Sequence, residues 1–280
     1  MNFMHDEVTR LRDGYGWNPK FKYSAKNFCV DPDYVVPDGA FSEEQSAFLG
    51  QGQEGGSWWF ETRNLAISRT ILEYGNGECI WEVGCGSGAV GSNLVRNGHQ
   101  CIGIEPSFFA AQLAAAQGLF SIQSDLETLR FPANSLGQIG LFDVLEHVRF
   151  RQEFLEELGR VLKPCGRLFI TVPAMKILWS QADVVNGHFL RYSRHSIVRE
   201  LEDAGFQVLS VRHLFFTLLF PLLVLRAIPH RLGIELSRTD RRLLVLKGGF
   251  IGKILRKIEL LLHRRIPFGT SLMVVATKRV

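Results

Sequence analysis

A glycine-rich stretch, WEVGCGSGAVG at residues 81–91, constrains the fold more than any other part of the chain. The apolar residues before it favour a β-strand, and the residues after it favour a helix. Gly84, Gly86 and Gly88 allow a sharp turn and a close approach of the backbone to a ligand. A glycine-rich turn from strand to helix is typical of nucleotide-binding α/β folds.

Strand and helix patterns alternate along most of the chain after residue 57. Such alternation predicts a mainly parallel sheet with helices on both faces, and ligands bind at the carboxyl ends of such strands. The predicted strands cover 79–83, 100–104, 119–123, 139–144, 167–172, 206–214 and 271–278, and the predicted helices cover 57–75, 89–97, 107–117, 151–162 and 196–204.

Two overlapping glycine patterns leave the nucleotide open. Residues 86–91 spell G-x-G-x-x-G, the dinucleotide pattern, whereas residues 84–88 spell G-x-G-x-G directly after Glu82 and Val83. A pyrophosphate binds bare N–H groups at a helix N-terminus, so an acid at position 82 would repel it. S-adenosylmethionine has no phosphate and has an ammonium and a sulfonium, which an acid attracts. Glu105 can accept hydrogen bonds from ribose hydroxyls in both cases and does not discriminate.

Two further stretches favour S-adenosylmethionine. Asp125 ends the third predicted strand, where a carboxylate can accept a hydrogen bond from an adenine amino group. FDVLEHV (142–148) ends the fourth, where the transferred methyl group would lie. Together with EVGCGSG (82–88), GIEPS (103–107), QSDLE (123–127) and LKPCGRLFITVP (162–173), these stretches resemble the class I S-adenosylmethionine-dependent methyltransferases, in that family's order and spacing over residues 57–215.

This resemblance implies a Rossmann-like, seven-stranded α/β sheet that is mostly parallel with an antiparallel last strand. Within the family, the chain looks like the bacterial small-molecule enzymes of the ubiquinone and menaquinone type. Glu105, beside the glycine loop, would hold the ribose of the cofactor, and Asp125 and Leu126 would hold and cover the adenine. Asp143 and Val144 would flank the methionyl portion. The implied cofactor residues are Glu82, Gly84, Gly86, Gly88, Glu105, Pro106, Asp125, Leu126, Asp143 and Val144.

Two histidines are candidate catalytic bases. Methyl transfer from a sulfonium needs alignment, exclusion of water and, for an alcohol acceptor, removal of a proton. His147 follows the fourth strand, and His188 lies in WSQADVVNGHFLRYSR (179–194) after the fifth. The alternatives are that His147 orients the next helix and that His188 contacts substrate or anchors its loop.

Asp143, Glu146, His147 and His188 resemble the ligand sets of magnesium-dependent O-methyltransferases. Because the first ligand is a shorter Asp that the cofactor also requires, we predict no metal and keep magnesium as the alternative. Aromatic faces beside a sulfonium would add cation–π attraction, although the same aromatic residues could pack a helix on the sheet. The predicted substrate-binding residues are Trp58, Trp59, Arg63, Trp179, Arg191 and Tyr192.

The chain is predicted to have an irregular N-terminal arm (1–56) and a methyltransferase domain (57–280) with a basic, apolar, helical insertion at 215–270. Residues 212–265 contain twelve basic and three acidic residues, a net charge of +9, whereas residues 1–211 have a net charge of −7. A basic amphipathic helix over 250–264 can lie on an anionic membrane surface, which makes such a surface a candidate partner of 215–265. A buried helical pair, a cover for the substrate and a dimer contact are alternatives, and nucleic acid is disfavoured because the segment is too apolar.

We therefore expect a methyltransferase for a small or lipid-linked metabolite, acting on oxygen with a histidine base; nitrogen and carbon acceptors stay open. The alternatives are a non-catalytic scaffold that binds S-adenosylmethionine or lipid, and an NAD-dependent dehydrogenase. Five scattered cysteines without a C-x-x-C pair, and an N-terminus unlike a secretory signal, predict a cytoplasmic protein, peripheral on the inner face of the membrane if the insertion binds lipid.

Overall fold

The computed structural model describes residues 2–25, 27–32, 34–36, 57–234, 250–262 and 266–279. Within them, nine strands form one sheet in the order β1-β2-β5-β4-β3-β6-β7-β9-β8, parallel from β2 to β7, with β9 antiparallel to β7 and β8. The strands are β1 (Lys22–Ala25), β2 (Phe28–Val30), β3 (Ile80–Val83), β4 (Cys101–Glu105), β5 (Phe120–Gln123), β6 (Leu136–Phe142), β7 (Leu162–Pro173), β8 (Phe206–Leu214) and β9 (Ser271–Lys278).

Helices cover both faces of the sheet. Successive side chains of a strand point to opposite faces, so apolar residues on both faces need a covering layer. In β7, Phe169 packs into one apolar cluster while Leu168 and Ile170 pack into another. The helices are α1 (Asn2–Tyr15), α2 (Trp58–Tyr74), α3 (Gly91–Arg96), α4 (Phe108–Ala116), α5 (Leu126–Leu129), α6 (Arg151–Val161), α7 (Gln181–Val185), α8 (Arg194–Asp203), α9 (Leu219–Leu222), α10 (Ile228–Arg231) and α11 (Phe250–Leu262), with a π-helical segment at Leu223–Ala227 and 3₁₀ turns at Leu145–His147, Lys176–Leu178 and Phe216–Leu218. None of the helices in these ranges has the length and hydropathy needed to cross a bilayer.

The predicted fold class is confirmed, including the antiparallel last strand, but the strand count is nine and not seven. The extra pair, β1 and β2, extends the sheet beyond β5. Phe28 is buried and packs edge-on against Phe108 of α4, with ring centroids 5.4 Å apart. Strands this short show too little periodicity in the sequence to be predicted. Their apolar residues are buried only by packing against the completed sheet.

The N-terminal arm predicted to be irregular is regular in much of its described part. Helix α1 buries Leu11 completely, and Trp17 stacks on Phe131 with ring centroids 4.7 Å apart. The Trp17 indole N–H also donates to the Leu129 carbonyl over 2.7 Å. Long-range packing, which local periodicity does not show, orders this segment. Residues 37–56 of the predicted arm lie outside the described ranges, and so do residues 235–249 of the predicted insertion.

The carboxyl rim of the sheet contains unusual backbone. The chain adopts positive φ at Asp143 (59°), Met175 (65°) and Phe215 (63°), shortly after β6, β7 and β8. A left-handed conformation costs a residue other than glycine about 1–3 kcal/mol and is frequent at functional sites, although Asn27, Arg130, Asn134 and Cys165 also adopt it. The rim is therefore where we locate the candidate site.

Candidate active site

The glycine loop after β3 forms a cradle that side chains would fill. Gly84, Gly86 and Gly88 have φ of 71°, 54° and 84°. A Cβ on Gly88 would lie 2.8 Å from the Cα of Ala114, so this glycine allows α4 to pack against the loop. A Cβ on Gly84 would lie 2.8 Å from the side chain of Val144. At Gly86 a Cβ would meet nothing within 4 Å, so the loop leaves open space for a ligand there.

Glu105 joins the glycine loop to the end of β4. Its Oε2 accepts the N–H of Gly86 over 2.8 Å, and its Oε1 accepts the N–H of Ser107 over 2.9 Å. Burial raises the pKa of Glu105 to about 7, while the two N–H donors oppose that shift. Each oxygen retains a lone pair for a hydroxyl donor, as the predicted ribose contact requires. Pro106 is half-buried beside it.

Glu82 lies deeper, behind the loop rather than at its surface. It is 2% exposed, and its Oε2 accepts no hydrogen bond from the described residues. Burial raises its pKa to about 8, although the charge of Arg63 and a backbone hydrogen bond from Gly91 partly offset this effect. A buried carboxyl behind an open cradle fits a cationic ligand better than an anionic pyrophosphate.

The part of the rim predicted to hold adenine has a further residue beside it that the sequence did not indicate. Asp125 caps α5 by accepting the N–H of Thr128 over 2.7 Å, and Leu126 is buried beneath it. Tyr34 comes from the N-terminal arm, brought here by β2 pairing with β5. Burial and the nearby charges of Asp125 and Glu105 raise the pKa of Tyr34, and its buried hydroxyl has no hydrogen bond of ordinary geometry. No sequence pattern indicates this contact, because it depends on strand pairing.

Asp143, at the end of β6, is held from both sides. Its Oδ2 forms an ion pair with Arg63 of α2, and its Oδ1 accepts the hydroxyl of Thr171 over 3.1 Å. The Arg63 guanidinium also lies over the ring of Trp59, 4.8 Å from the centroid. Arg63 is 8% exposed and links α2 to the end of β6, and its contact with substrate stays a prediction.

The remaining predicted substrate residues lie at different depths. Trp58 is 1% exposed within the apolar core, whereas Trp59 is half-buried and stacks on Phe215 with centroids 5.4 Å apart. Tyr192 is fully buried in the apolar core, and its backbone N–H donates to the Pro173 carbonyl at the end of β7 over 2.8 Å. Trp179 is half-buried after a 3₁₀ turn. In this conformation Trp58 and Tyr192 have the placement of core residues.

His147 and His188 are brought together, with ring centroids 4.8 Å apart and planes at 79°. Burial and the neighbouring His188 together lower the pKa of His147 to about 4, so His147 is neutral at pH 7. His188 Nδ1 lies 2.9 Å from Asp183 Oδ1. If Nδ1 bears the proton in that hydrogen bond, Nε2 is the free base.

Asp183 is ionised and holds the loop that contains His188. Burial would raise its pKa, but hydrogen bonds from His188 and Arg191 outweigh burial and lower it to about 2. Arg191 Nε donates to it over 2.8 Å, and the backbone N–H of Ser180 donates over 2.9 Å. Arg191 Nη1 also donates to the Ala174 carbonyl over 3.2 Å. Arg191 therefore supports this carboxylate rather than facing outwards as a substrate contact.

Three of the four residues proposed for a metal lie together. Glu146, His147 and His188 each offer a ligand atom, and these atoms lie within 4.8 Å of one another. Asp143 is not among them because Arg63 and Thr171 occupy its carboxylate. Glu146 is 1% exposed, and burial and the Asp143 charge raise its pKa well above the ordinary value. One buried carboxyl and two imidazoles fit Mg²⁺ poorly, because this ion prefers oxygen ligands and retained waters.

A family model described as a methyltransferase domain matches residues 59–211, more than half of the 280-residue chain. The chain belongs to this methyltransferase family. A relative in Mycolicibacterium smegmatis, named "Probable S-adenosylmethionine-dependent methyltransferase", is 25% identical to the methyltransferase over 183 residues, which cover 64% of this chain and 70% of the relative. A ubiquinone biosynthesis O-methyltransferase of Bradyrhizobium is 32% identical over 95 residues, covering 32% of this chain and 38% of that protein. The methyltransferase thus matches under two fifths of this second relative's length.

Solved structures show the same fold. An S-adenosylmethionine-dependent methyltransferase of Thermotoga maritima superimposes with a TM-score of 0.55 at 18% identity, covering 84% of this chain and 97% of that one. Phosphoethanolamine N-methyltransferase 2 of Haemonchus contortus, bound to S-adenosylmethionine, gives 0.53 at 17% identity, covering 87% and 61%. The methyltransferase is an S-adenosylmethionine-dependent enzyme. The dehydrogenase alternative is therefore wrong, and the acid behind the glycine loop agrees physically with the cationic cofactor.

Proposed function

We propose that this methyltransferase methylates an oxygen atom of a small or lipid-linked metabolite, with His188 as the general base. The observation that supports the proposal most directly is the pair formed by buried Asp183 and half-buried His188, whose Oδ1 and Nδ1 are 2.9 Å apart. A carboxylate on one imidazole nitrogen orients the ring and stabilises the imidazolium that forms when the other nitrogen takes a proton.

The chain's own residues would act on the acceptor in a simple sequence. The bound cofactor supplies an activated methyl group. His188 Nε2 would take the proton of the acceptor hydroxyl, so that the oxygen could attack the methyl group as its bond to the cofactor's sulfur breaks and the neutral thioether leaves. Neutral His147 packs against the His188 ring and adds no second positive charge. Glu82, Glu105 and the glycine loop would hold the cofactor, with Asp143 fixed beside it by Arg63 and Thr171.

Oxygen is favoured over nitrogen by two considerations. An alcohol must lose a proton to become a useful nucleophile, and the Asp183–His188 pair provides a base for that step. The ubiquinone relatives are named O-methyltransferases and support the same choice. A neutral amine needs no strong base to attack, so a pre-oriented imidazole would contribute less to N-methylation.

The test uses the full chain, methyl-labelled S-adenosylmethionine, and separate aqueous and lipid fractions of a host extract, followed by identification of the labelled product. With that acceptor, His188→Gln should reduce kcat about 10²- to 10⁴-fold, the usual contribution of a general base, with the cofactor Kd unchanged. His195→Gln, on an exposed histidine of α8, is the matched control.

Asp183→Asn should reduce kcat and move the pH profile, because the imidazolium loses its carboxylate. Activity should survive exhaustive chelation. A label on nitrogen or carbon, or a His188→Gln variant within about threefold of the unsubstituted protein, would contradict the proposal. A chain that binds the cofactor but labels nothing in either fraction would support the scaffold alternative instead.

A further inference from the structure

We propose that one face of this enzyme docks on an anionic lipid bilayer and places the His188 loop at the membrane surface. The docking face is formed by exposed side chains of residues 176–189, residues 219–234 and helix α11. Docking at a membrane also assigns the acceptor to the lipid-linked class, and this assignment rests on the proposed function. Docking itself needs neither the cofactor nor turnover.

The helical segment after β8 turns an apolar side outwards. Phe220, Val224, Ile228 and Leu232 recur every fourth residue, a spacing that aligns side chains along one side of a helix. All four are exposed, Phe220 by 73% and Leu232 by 69%. Single exposed apolar residues are common on soluble proteins, but a continuous row of them marks a contact surface.

Helix α11 presents a second apolar side and is firmly positioned. Glu259 faces inward at 1% exposure and accepts the backbone N–H of Phe216 over 3.2 Å and the hydroxyl of Thr217 over 3.0 Å. The other side of the helix exposes Ile254 and Ile258, together with Leu261, which is 65% exposed. Because Glu259 fixes the rotation of α11, these side chains point away from the protein core.

The docking face reaches the catalytic loop. The π-helical segment Leu223–Ala227 contacts the 3₁₀ turn Lys176–Leu178 and helix α7. Arg231 Nη2 also donates to the Ile177 carbonyl over 2.9 Å. On this loop the exposed apolar side chains are Ile177, Val184, Val185 and Phe189. Phe189 adjoins His188, and Val184 adjoins Asp183, so the apolar surface begins beside the proposed base.

Charge selects an anionic bilayer as the occupant. Residues 216–234 and 250–262 contain one carboxylate, Glu259, and it is buried. Exposed cations on the same segments include Arg231, Lys253 and Lys257. Apolar side chains bordered by basic ones bind at the interface of acidic membranes. A second copy of the chain would set like charges against each other, which disfavours self-association through this face.

The test is flotation of the full chain with lipid vesicles in the absence of cofactor. Neutral vesicles contain phosphatidylcholine alone, and anionic vesicles contain about one third phosphatidylglycerol. We expect binding to the anionic vesicles that weakens with salt, since each basic residue near the surface contributes about 1 kcal/mol, or about fivefold. Lys253→Glu with Lys257→Glu should therefore lower partitioning by more than about tenfold, and Phe220→Ser should lower it at every salt concentration.

Two matched controls should leave binding unchanged. Tyr23→Ser removes an exposed aromatic ring from β1 at the far edge of the sheet, and Arg199→Glu reverses an exposed charge on α8. Circular dichroism and Tm establish that every variant is folded. The proposal is overturned if the unsubstituted chain ignores anionic vesicles, if the face variants bind like the controls, or if the face variants abolish a dimer instead. None of these outcomes would alter the result of the labelled-methyl assay, so the two proposals fail separately.

Discussion

The two halves of the carboxyl rim are built differently. In the cofactor half, at the ends of β3–β5, contacts are mostly between chain neighbours or with the backbone: Glu105 with Ser107, and Asp125 with Thr128. In the half at the ends of β6–β8, which we propose holds the acceptor and where Asp143 also borders the predicted cofactor site, side chains meet from distant segments, as Arg63 meets Asp143. The predicted cofactor contacts thus rely mainly on glycines and backbone N–H groups, whereas the rest of the rim relies on side chains that only the folded chain brings together.

The largest expected effect tests the long-range half. Arg63→Met removes one partner of a mostly buried ion pair and leaves Asp143 uncompensated. The free energy of unfolding should fall by about 3–5 kcal/mol, as for other broken buried pairs. Urea unfolding measures it. Arg69→Met, on an exposed residue of the same helix, should change it by less than about 0.5 kcal/mol. Equal effects would show that the acceptor half does not depend on this link.

The next effect tests the backbone design of the cofactor half. Gly88 and Gly98 share a φ of 84°, but a Cβ meets the Ala114 backbone at 2.8 Å in the first case and nothing within 4 Å in the second. Gly98→Ala should cost about 1–2 kcal/mol of stability for the left-handed conformation alone. Gly88→Ala should cost about 1–3 kcal/mol more from overpacking and should also weaken S-adenosylhomocysteine binding in calorimetry. If both variants bind the ligand equally, the loop is not the cradle described above.

A pH experiment sharpens the electrostatic side of the comparison. The pKa of Glu82 is raised by burial to about 8, so folding favours its protonated form. Its contribution is fully present below the ordinary pKa near 4.5 and is lost as the pH rises towards 8. In the cofactor-free protein, Glu82→Gln should therefore reduce the fall in Tm between pH 5 and pH 8 by several degrees. Glu153→Gln on α6 is the control, and parallel Tm curves for the two variants would refute the assignment.

The smallest expected effect concerns Tyr34 and tests whether the cofactor half is built only from local contacts. Tyr34 brings a side chain from the N-terminal arm to the otherwise local cofactor half. Tyr34→Phe removes one buried hydroxyl, and S-adenosylhomocysteine should bind about two- to tenfold more weakly, the usual range for one neutral hydrogen bond. Tyr23→Phe on β1 should bind it normally. An unchanged affinity for Tyr34→Phe would make the cofactor half local throughout.

Much of the fold could be predicted from local patterns. The bounds of β8 and β9 match the predicted ones, and Ser107 caps α4 by accepting the Ala110 N–H over 3.4 Å, as its position before the helix indicates. Helix α1 and strands β1 and β2 were missed, because their stability comes from packing against Phe131, Phe108 and the edge of β5. Short segments of this kind have no periodicity of their own.

The sequence by itself determined the order of strands and helices, the glycine turn after β3 and the acids that accompany it, because dihedral preference, capping and hydrophobic period act between near neighbours. Only the tertiary structure decided that Arg63 is an internal partner of Asp143, that Asp183 orients His188, and that Tyr34 reaches the cofactor half. Those relations depend on which side chains meet in three dimensions and how deeply each is buried, and burial is a property of the whole folded chain.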